Sequence, residues 1–326
     1  MSKVYFSKEL NEKYLRVLEE NIKQKFKGCK KVAVKLHFGE EGNKTAFNPE
    51  DIKPFTAILK KNGFDYFLYD SATAYEGIRD NPKTYKEYAV KKGFGTLGPI
   101  VTDDSLILVK GKYLSYEVCK PLADADAVLV ISHFKGHGCC GFGGAVKNLG
   151  MGALTKKSKQ EIHEGGKPEI LDNCNACKAC EKACNFGFLS IVNNEHVFLD
   201  CYGCSNCIIL CPNKAMKPKV ALFDSLLADG ANTAHSQFKK DYYINVAKSI
   251  TKLCDCETDS KETIAEDVGY FAGEDPVAVD KAAYDSIVKQ EGIDVFLKFN
   301  QKSGLEQINE AEKLKLGRSK YQLINV

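Results

Sequence analysis

Eight of the chain's fourteen cysteines stand in two copies of one spacing. The first runs Cys174-x-x-Cys177-x-x-Cys180-x-x-x-Cys184, the second Cys201-x-x-Cys204-x-x-Cys207-x-x-x-Cys211-Pro212. Thiols at this density are ligands for a soft metal, and the spacing limits which one. Structural zinc also accepts four cysteines, but zinc ribbons separate two C-x-x-C pairs by a longer loop. They do not crowd three cysteines into so short a run twice. The spacing predicts iron–sulfur clusters.

It is the pattern of two-cluster bacterial ferredoxins, in which the fourth cysteine of each run ligates the other run's cluster. Cys174, Cys177, Cys180 and Cys211 are therefore expected to hold one 4Fe–4S cluster, and Cys201, Cys204, Cys207 and Cys184 the second. Such a unit needs only about residues 169–216. Most of the 326 residues lie outside it, enough for a sizeable α/β core.

A balance of 46 Lys+Arg against 43 Asp+Glu, net +3, is too even to argue for nucleic acid or an acidic membrane surface. No apolar stretch approaches the ~18 residues of a membrane span, and Met1-Ser2-Lys3 opens no signal peptide. Cluster ligation uses most of the cysteines, which fits a reducing cytoplasm better than a disulfide-bonded secreted chain.

Val4–Phe6 reads as a strand, with Ser7 capping a helix whose Leu10, Tyr14, Leu18, Ile22 and Phe26 recur at helical spacing up to Gly28. Strands are expected at Val32–Leu36, Asp65–Tyr69, Ile107–Val109, Ala127–Ser132, Lys219–Phe223, Tyr243–Val246 and Val268–Phe271. Asn48-Pro49 and Asp275-Pro276 each open a helix. The apolar run Ala127–Ser132 suits a buried parallel strand. Strands alternating with helices predict an α/β domain with a mostly parallel sheet and helices on both faces. That domain would be formed by residues 1–168 and 217–326, and interrupted by an α+β two-cluster unit at 169–216.

After the Ala127–Ser132 run come glycines, two histidines and two lysines, from Ser132-His133-Phe134-Lys135-Gly136-His137 to Gly143-Gly144-Ala145-Val146-Lys147-Asn148-Leu149-Gly150-Met151-Gly152. Glycine-rich turns expose N–H groups that hold anions, and no phosphate-loop or dinucleotide pattern is present. Lysines hold a carboxylate or phosphate, and histidines move protons. His37, His133, His137 and Lys147 are the catalytic candidates. Lys35, Glu40, Asp70, Ser71, Lys135 and Asn148 are the substrate-binding ones, since loops at the carboxyl ends of strands build sites in α/β sheets. Cys254-x-Cys256 is either a metal or redox pair or two buried thiols. Cys29 and Cys119 read as structural.

The Ser132–Gly152 segment resembles the signature of the uncharacterised iron–sulfur-centre proteins filed as domain of unknown function DUF362. The likeness extends to Lys35-Leu36-His37-Phe38-Gly39-Glu40, Asp70-Ser71, Cys254-Asp255-Cys256 and Gly273-Glu274-Asp275-Pro276-Val277-Ala278-Val279-Asp280. Members often carry the same two-cluster insertion, so the resemblance implies a cluster-binding redox protein without naming a reaction. Cys139-Cys140 departs from the family pattern. Gly143-Gly144-x-x-Lys147 also resembles, one residue out of step, the turn whose lysine carries the cofactor in nickel-pincer lactate racemases.

Two functions follow as expectations. One is a reductase that takes electrons from a protein or small donor, through two 4Fe–4S clusters, to a small anionic substrate at the His/Lys loop. The other is an electron carrier or cluster-delivery protein with no chemistry of its own. A pocket lined by the His/Lys set separates them.

Overall fold

A computed structural model gives the structure of the chain, describing residues 1–258, 260 and 262–326. At its centre is an eight-stranded sheet in the order Tyr321–Asn325, Ser2–Ser7, Gly269–Gly273, Asp241–Ala247, Ala127–His133, Lys31–Lys35, Asp65–Tyr69, Ile100–Val101. The sheet is mainly parallel. Only Gly269–Gly273 runs antiparallel to both its neighbours. Side chains alternate between two cores. Val32, Val34, Leu129 and Ile131 face one, while Ala33, Val128 and Val130 face the other. Each fully buried valine or leucine there contributes about 1.5–3 kcal/mol.

Helices cover both faces. Glu12–Lys25 and Pro49–Lys61 bury Tyr14, Leu18, Ile22, Phe55 and Leu59 in the first core. Ala145–Gly150, Phe223–His235, Pro276–Glu291 and Leu305–Lys313 fill the second. Asn48 and Asp51 form a reciprocal capping box, and Asp275 accepts the Val277 and Ala278 N–H groups. Among the described residues, no helix is long and apolar enough to cross a membrane.

Some elements differ from expectation. Asn11 caps the first helix, because the Ser7 hydroxyl donates instead to the Glu9 carbonyl. Leu106–Lys110 is a strand, but it pairs only with Ser115–Cys119, in a hairpin outside the main sheet. Lys219–Phe223 is no strand. The chain bends there into the Phe223–His235 helix, and the strand is Met216–Pro218. The edge strand Tyr321–Asn325, with only partly buried side chains, carries too weak an alternation to read.

Residues 168–218 leave the sheet and return to it through the antiparallel pair Pro168–Ile170 and Met216–Pro218. Between them lie two short helices, Ala179–Ala183 and Asn206–Ile209, and a hairpin of Leu189–Val192 with Glu195–Phe198. Asn193 and Asn194 turn the hairpin at φ 51° and 65°, as a two-residue turn requires. This segment has its own small core of Leu189, Ile191 and Met216 beside Cys180 and Cys207.

The four consecutive parallel strands Asp241–Ala247, Ala127–His133, Lys31–Lys35 and Asp65–Tyr69 end at one edge. The segments after them carry His37, Asp70, the glycine-rich loop and Cys254–Cys256. They meet where α/β sheets build ligand sites.

Candidate functional site

A cavity of about 160 Å³ opens at that edge. His37, His133, His137, Lys147, Lys35, Asp70, Ser71 and Asn148 all line it, joined by Arg79, Lys159, His163 and Cys254–Cys256. Glu40 and Lys135 do not line it; both are buried, and each is paired to a residue that does.

Its floor is a set of buried ion pairs. Lys35 Nζ donates to Asp70 Oδ1 at 2.9 Å and to Asn148 Oδ1 at 2.6 Å. Asn148 then donates to the Ile131 carbonyl and the Ser132 hydroxyl, which ties the glycine-rich loop to its strand. Burial raises the Asp70 carboxyl, but Lys35, His37, Lys159 and Arg79 together outweigh it and hold Asp70 well below the usual carboxylate range. Removing one partner of such a pair costs about 3–5 kcal/mol.

Asp255 plays the same part for His133 and Lys135. It accepts from His133 Nδ1 at 2.8 Å and pairs with Lys135 Nζ at 2.8 Å. Burial opposes ionisation, and the neighbouring His133, Lys135 and His37 together overcome it, keeping the carboxyl well below its ordinary value. His133 Nε2 faces the Lys248 carbonyl at 2.9 Å, and the ring stacks on Phe47 at 4.3 Å between centroids. Both ring nitrogens are thus committed to acceptors, and the ring serves as a strut. His37 has the reverse problem. Its Nδ1 accepts from the Gly39 N–H at 2.8 Å and its Nε2 meets the Arg79 guanidinium. Burial and Arg79 push its pKa well below 6.5, so it is neutral and a poor proton donor.

Arg79 is paired to Glu40 at 3.1 Å. Lys147 and Lys159 have no carboxylate partner among the described residues. Lys147 Nζ lies 3.5 Å from Cys254 Sγ and 3.4 Å from Cys256 Sγ. Lys159 donates to the Ser71 hydroxyl at 2.8 Å and to the Ala72 carbonyl. Burial lowers both amines, Lys159 to about 8. Lys147 rides the short helix Ala145–Gly150, which has no cap of its own. Asp280 caps it from afar, accepting the Ala145 and Val146 N–H groups at 2.6 and 2.9 Å. Gly144 is required because a Cβ there would overlap the Asp280 carboxylate.

Sequence reasoning missed Lys159 and His163. Lys159 and His163 stand four residues apart on one face of the Lys156–Gly165 helix, the signal that would have found them.

The two cysteine runs share one backbone. Ala176 and Lys178 of the first have φ 54° and 63°; the equivalent Gly203 and Ser205 have 63° and 61°. Cys184, Cys201, Cys204 and Cys207 line one small cavity of about 20 Å³ with Phe186, Phe188 and Tyr202. Asn213, two residues beyond Cys211, reaches back to Asn175 at 2.7 Å and lies 3.9 Å from Cys177 Sγ. The second run also touches the large cavity's wall. His163 Nδ1 donates to the Tyr202 carbonyl at 2.7 Å, and Gly203 lies against the His163 backbone.

No curated protein matches this chain. A crystal structure of a Thermotoga maritima protein is similar at TM-score 0.48 and 10% identity, covering 88% of this chain and 60% of that one. The lactate racemase apoprotein of Thermoanaerobacterium thermosaccharolyticum is similar at TM-score 0.39 and 14% identity, covering 84% and 54%. The chain thus spans little more than half of either. A family profile described as Domain of unknown function (DUF362) matches residues 32–285, and with most of its length matched the chain belongs to that family.

Proposed function

We propose that the protein is an iron–sulfur redox enzyme acting on a small anion in the large cavity. Residues 169–216 form a two-cluster ferredoxin-like unit inserted between 1–168 and 217–326. The observation that carries this reading is the meeting of Cys184 with Cys201, Cys204 and Cys207 around one apolar-walled space. That is the interleaved set the two-cluster pattern demands. The surroundings suit a cluster as well. Backbone N–H groups of Phe188, Gly203 and Ala215 approach Cys184, Cys201 and Cys211 sulfurs at 3.3, 3.4 and 3.3 Å, the contacts that stabilise ligated sulfur. Cys174, Cys177, Cys180 and Cys211 would hold the other cluster. Bound there, the clusters supply one-electron transfer.

The chain's own residues bind and protonate. Asp70, Glu40 and Asp255 neutralise Lys35, Arg79 and Lys135, which leaves Lys147 and Lys159 to hold an anion. His133 and His37 orient the walls. Lys159, at about 8, is the cavity group best matched to donate a proton near neutral pH. His137, neutral through burial and close to Lys147, also lines the cavity. A docked redox protein or a small donor would supply the electrons. A cavity lined by charged groups weighs against a carrier without chemistry of its own.

Anaerobic purification with iron and labile-sulfide analysis tests the reading. Two 4Fe–4S clusters require about eight iron and eight sulfide per chain, and a coupled paramagnetic signal on reduction. Zinc in place of iron, or iron for a single cluster, would sink it.

A further inference from the structure

Cys254 and Cys256 lie outside the eight-cysteine pattern, yet their sulfurs face the large cavity. Asp255 between them is drawn the other way, into its buried pair with His133 and Lys135. The loop is held further by the Asp255 carbonyl, which accepts from Glu40 N at 2.9 Å, and by Tyr75, whose hydroxyl donates to the Cys256 carbonyl at 3.3 Å. Both sulfurs are thereby presented on one side of a fixed turn. A ring nitrogen of His137, carried by the glycine-rich loop, lies within 4.8 Å of both. Two sulfurs and an imidazole nitrogen converging on one point form the donor set of a thiophilic divalent cation.

We propose that His137, Cys254 and Cys256 form a metal site for a zinc-class divalent cation, with its fourth position open to the cavity. This site is separate from the eight cluster cysteines, and it stands whether or not they carry iron.

In this structure Cys254 and Cys256 are joined as a disulfide. Metal binding therefore follows reduction by a dithiol or phosphine: the S–S bond breaks, two electrons and two protons enter, and two thiols form. Both thiol protons then leave to solvent as the cation binds. His137 Nδ1 accepts from the Cys139 N–H at 3.2 Å and lies 3.2 Å from Cys140 Sγ, contacts that hold the ring in place beside the two sulfurs. Lys147, within 3.5 Å of both ligand sulfurs, tempers their charge. Three protein ligands leave a tetrahedral cation one coordination position. An oxygen of an anion held by Lys159 would fill it, which is the arrangement of catalytic rather than structural zinc.

The test uses anaerobically isolated full-length protein with its iron in place. It is reduced with a phosphine, equilibrated with zinc, and read by elemental analysis and zinc-edge X-ray absorption. One zinc per chain should bind beyond the iron, with about two sulfurs near ~2.3 Å and nitrogen near ~2.0 Å. His137→Ala, Cys254→Ser and Cys256→Ser should each weaken zinc binding by at least about tenfold while iron content holds. Cys29→Ser should change neither. A wild-type circular dichroism spectrum and cooperative unfolding show that a variant is folded whether or not iron is bound, which separates failure of this site from failure of the cluster assignment. The proposal is overturned by a reduced protein that takes up no zinc, by an all-sulfur zinc shell, or by unchanged zinc affinity in His137→Ala.

Discussion

The two cysteine runs have the same spacing and the same backbone, yet they sit in opposite surroundings. In the first, Lys178 and Cys177 face solvent and Ala176 is only half covered. In the second, Gly203, Ser205 and Asn206 are buried. Ser205 Oγ donates to the Gly166 carbonyl at 2.8 Å and accepts from Phe223 N at 2.9 Å. Asn206 reaches the Gln301 carbonyl, and Lys302 reaches the Cys204 carbonyl while paired to Asp224 at 2.6 Å. A repeated motif fixes ligand geometry, whereas the residues between the ligands decide what the site is connected to. The outer copy is exposed to solvent. The inner copy is sewn into the sheet beside the large cavity.

The sharpest way to break that comparison is to delete one fourth cysteine at a time. Cys211→Ala should cost the outer cluster and Cys184→Ala the inner one, each leaving about half of the iron by elemental analysis. Only Cys184→Ala should also lower the unfolding temperature of the whole chain. Loss of all the iron in both variants would show that the runs are a single cooperative site. Next in size is Gly203→Ala. Its φ of 63° disfavours a side chain, and the added Cβ would overlap the His163 carbonyl. A loss of about 2–3 kcal/mol in denaturant unfolding is expected.

The link from the inner copy to the cavity passes through the helix bearing Lys159 and His163. Burial lowers Lys159 to about 8, so the amine keeps its charge below that pH and loses it as the pH rises through it. Sulfate, a dianion throughout, should then bind about tenfold more weakly at about pH 9 than at about pH 7 by calorimetry. Lys159→Met should flatten that profile; a wild-type affinity that does not change would remove Lys159 from the anion site. The smallest effect belongs to the outer copy. Ala176→Gly relieves a side chain at φ 54° that is only half covered at the edge of the segment's small core, and should stabilise by about 0.5–1 kcal/mol. A destabilised variant would mean that the outer run is as tightly held as the inner.

The parallel strands could be read from the sequence because both their faces are buried, as the apolar run Ala127–Ser132 announces. The residues that gather at their carboxyl ends could be read for the same reason: strand direction places them. What could not be read was which charges cancel. Lys135 and His133 look like binding groups until Asp255, more than a hundred residues later, occupies them both. Conversely, Lys159 lies in a helix with few apolar residues and stands out only once its lack of a carboxylate partner is seen. Periodicity reports burial, but it does not report pairing.

Asp280 caps a helix 135 residues earlier in the chain. A nascent polypeptide leaving the ribosome therefore exposes the glycine-rich loop and both cysteine runs well before the residue that settles Lys147 has been made. The cysteine segment can close its own strand pair at that moment, while the cavity cannot yet form. Any delivery of metal during synthesis meets the cysteines first. The cavity waits on the last third of the chain, and a chain released before residue 280 would lack the cap that sets Lys147 in place.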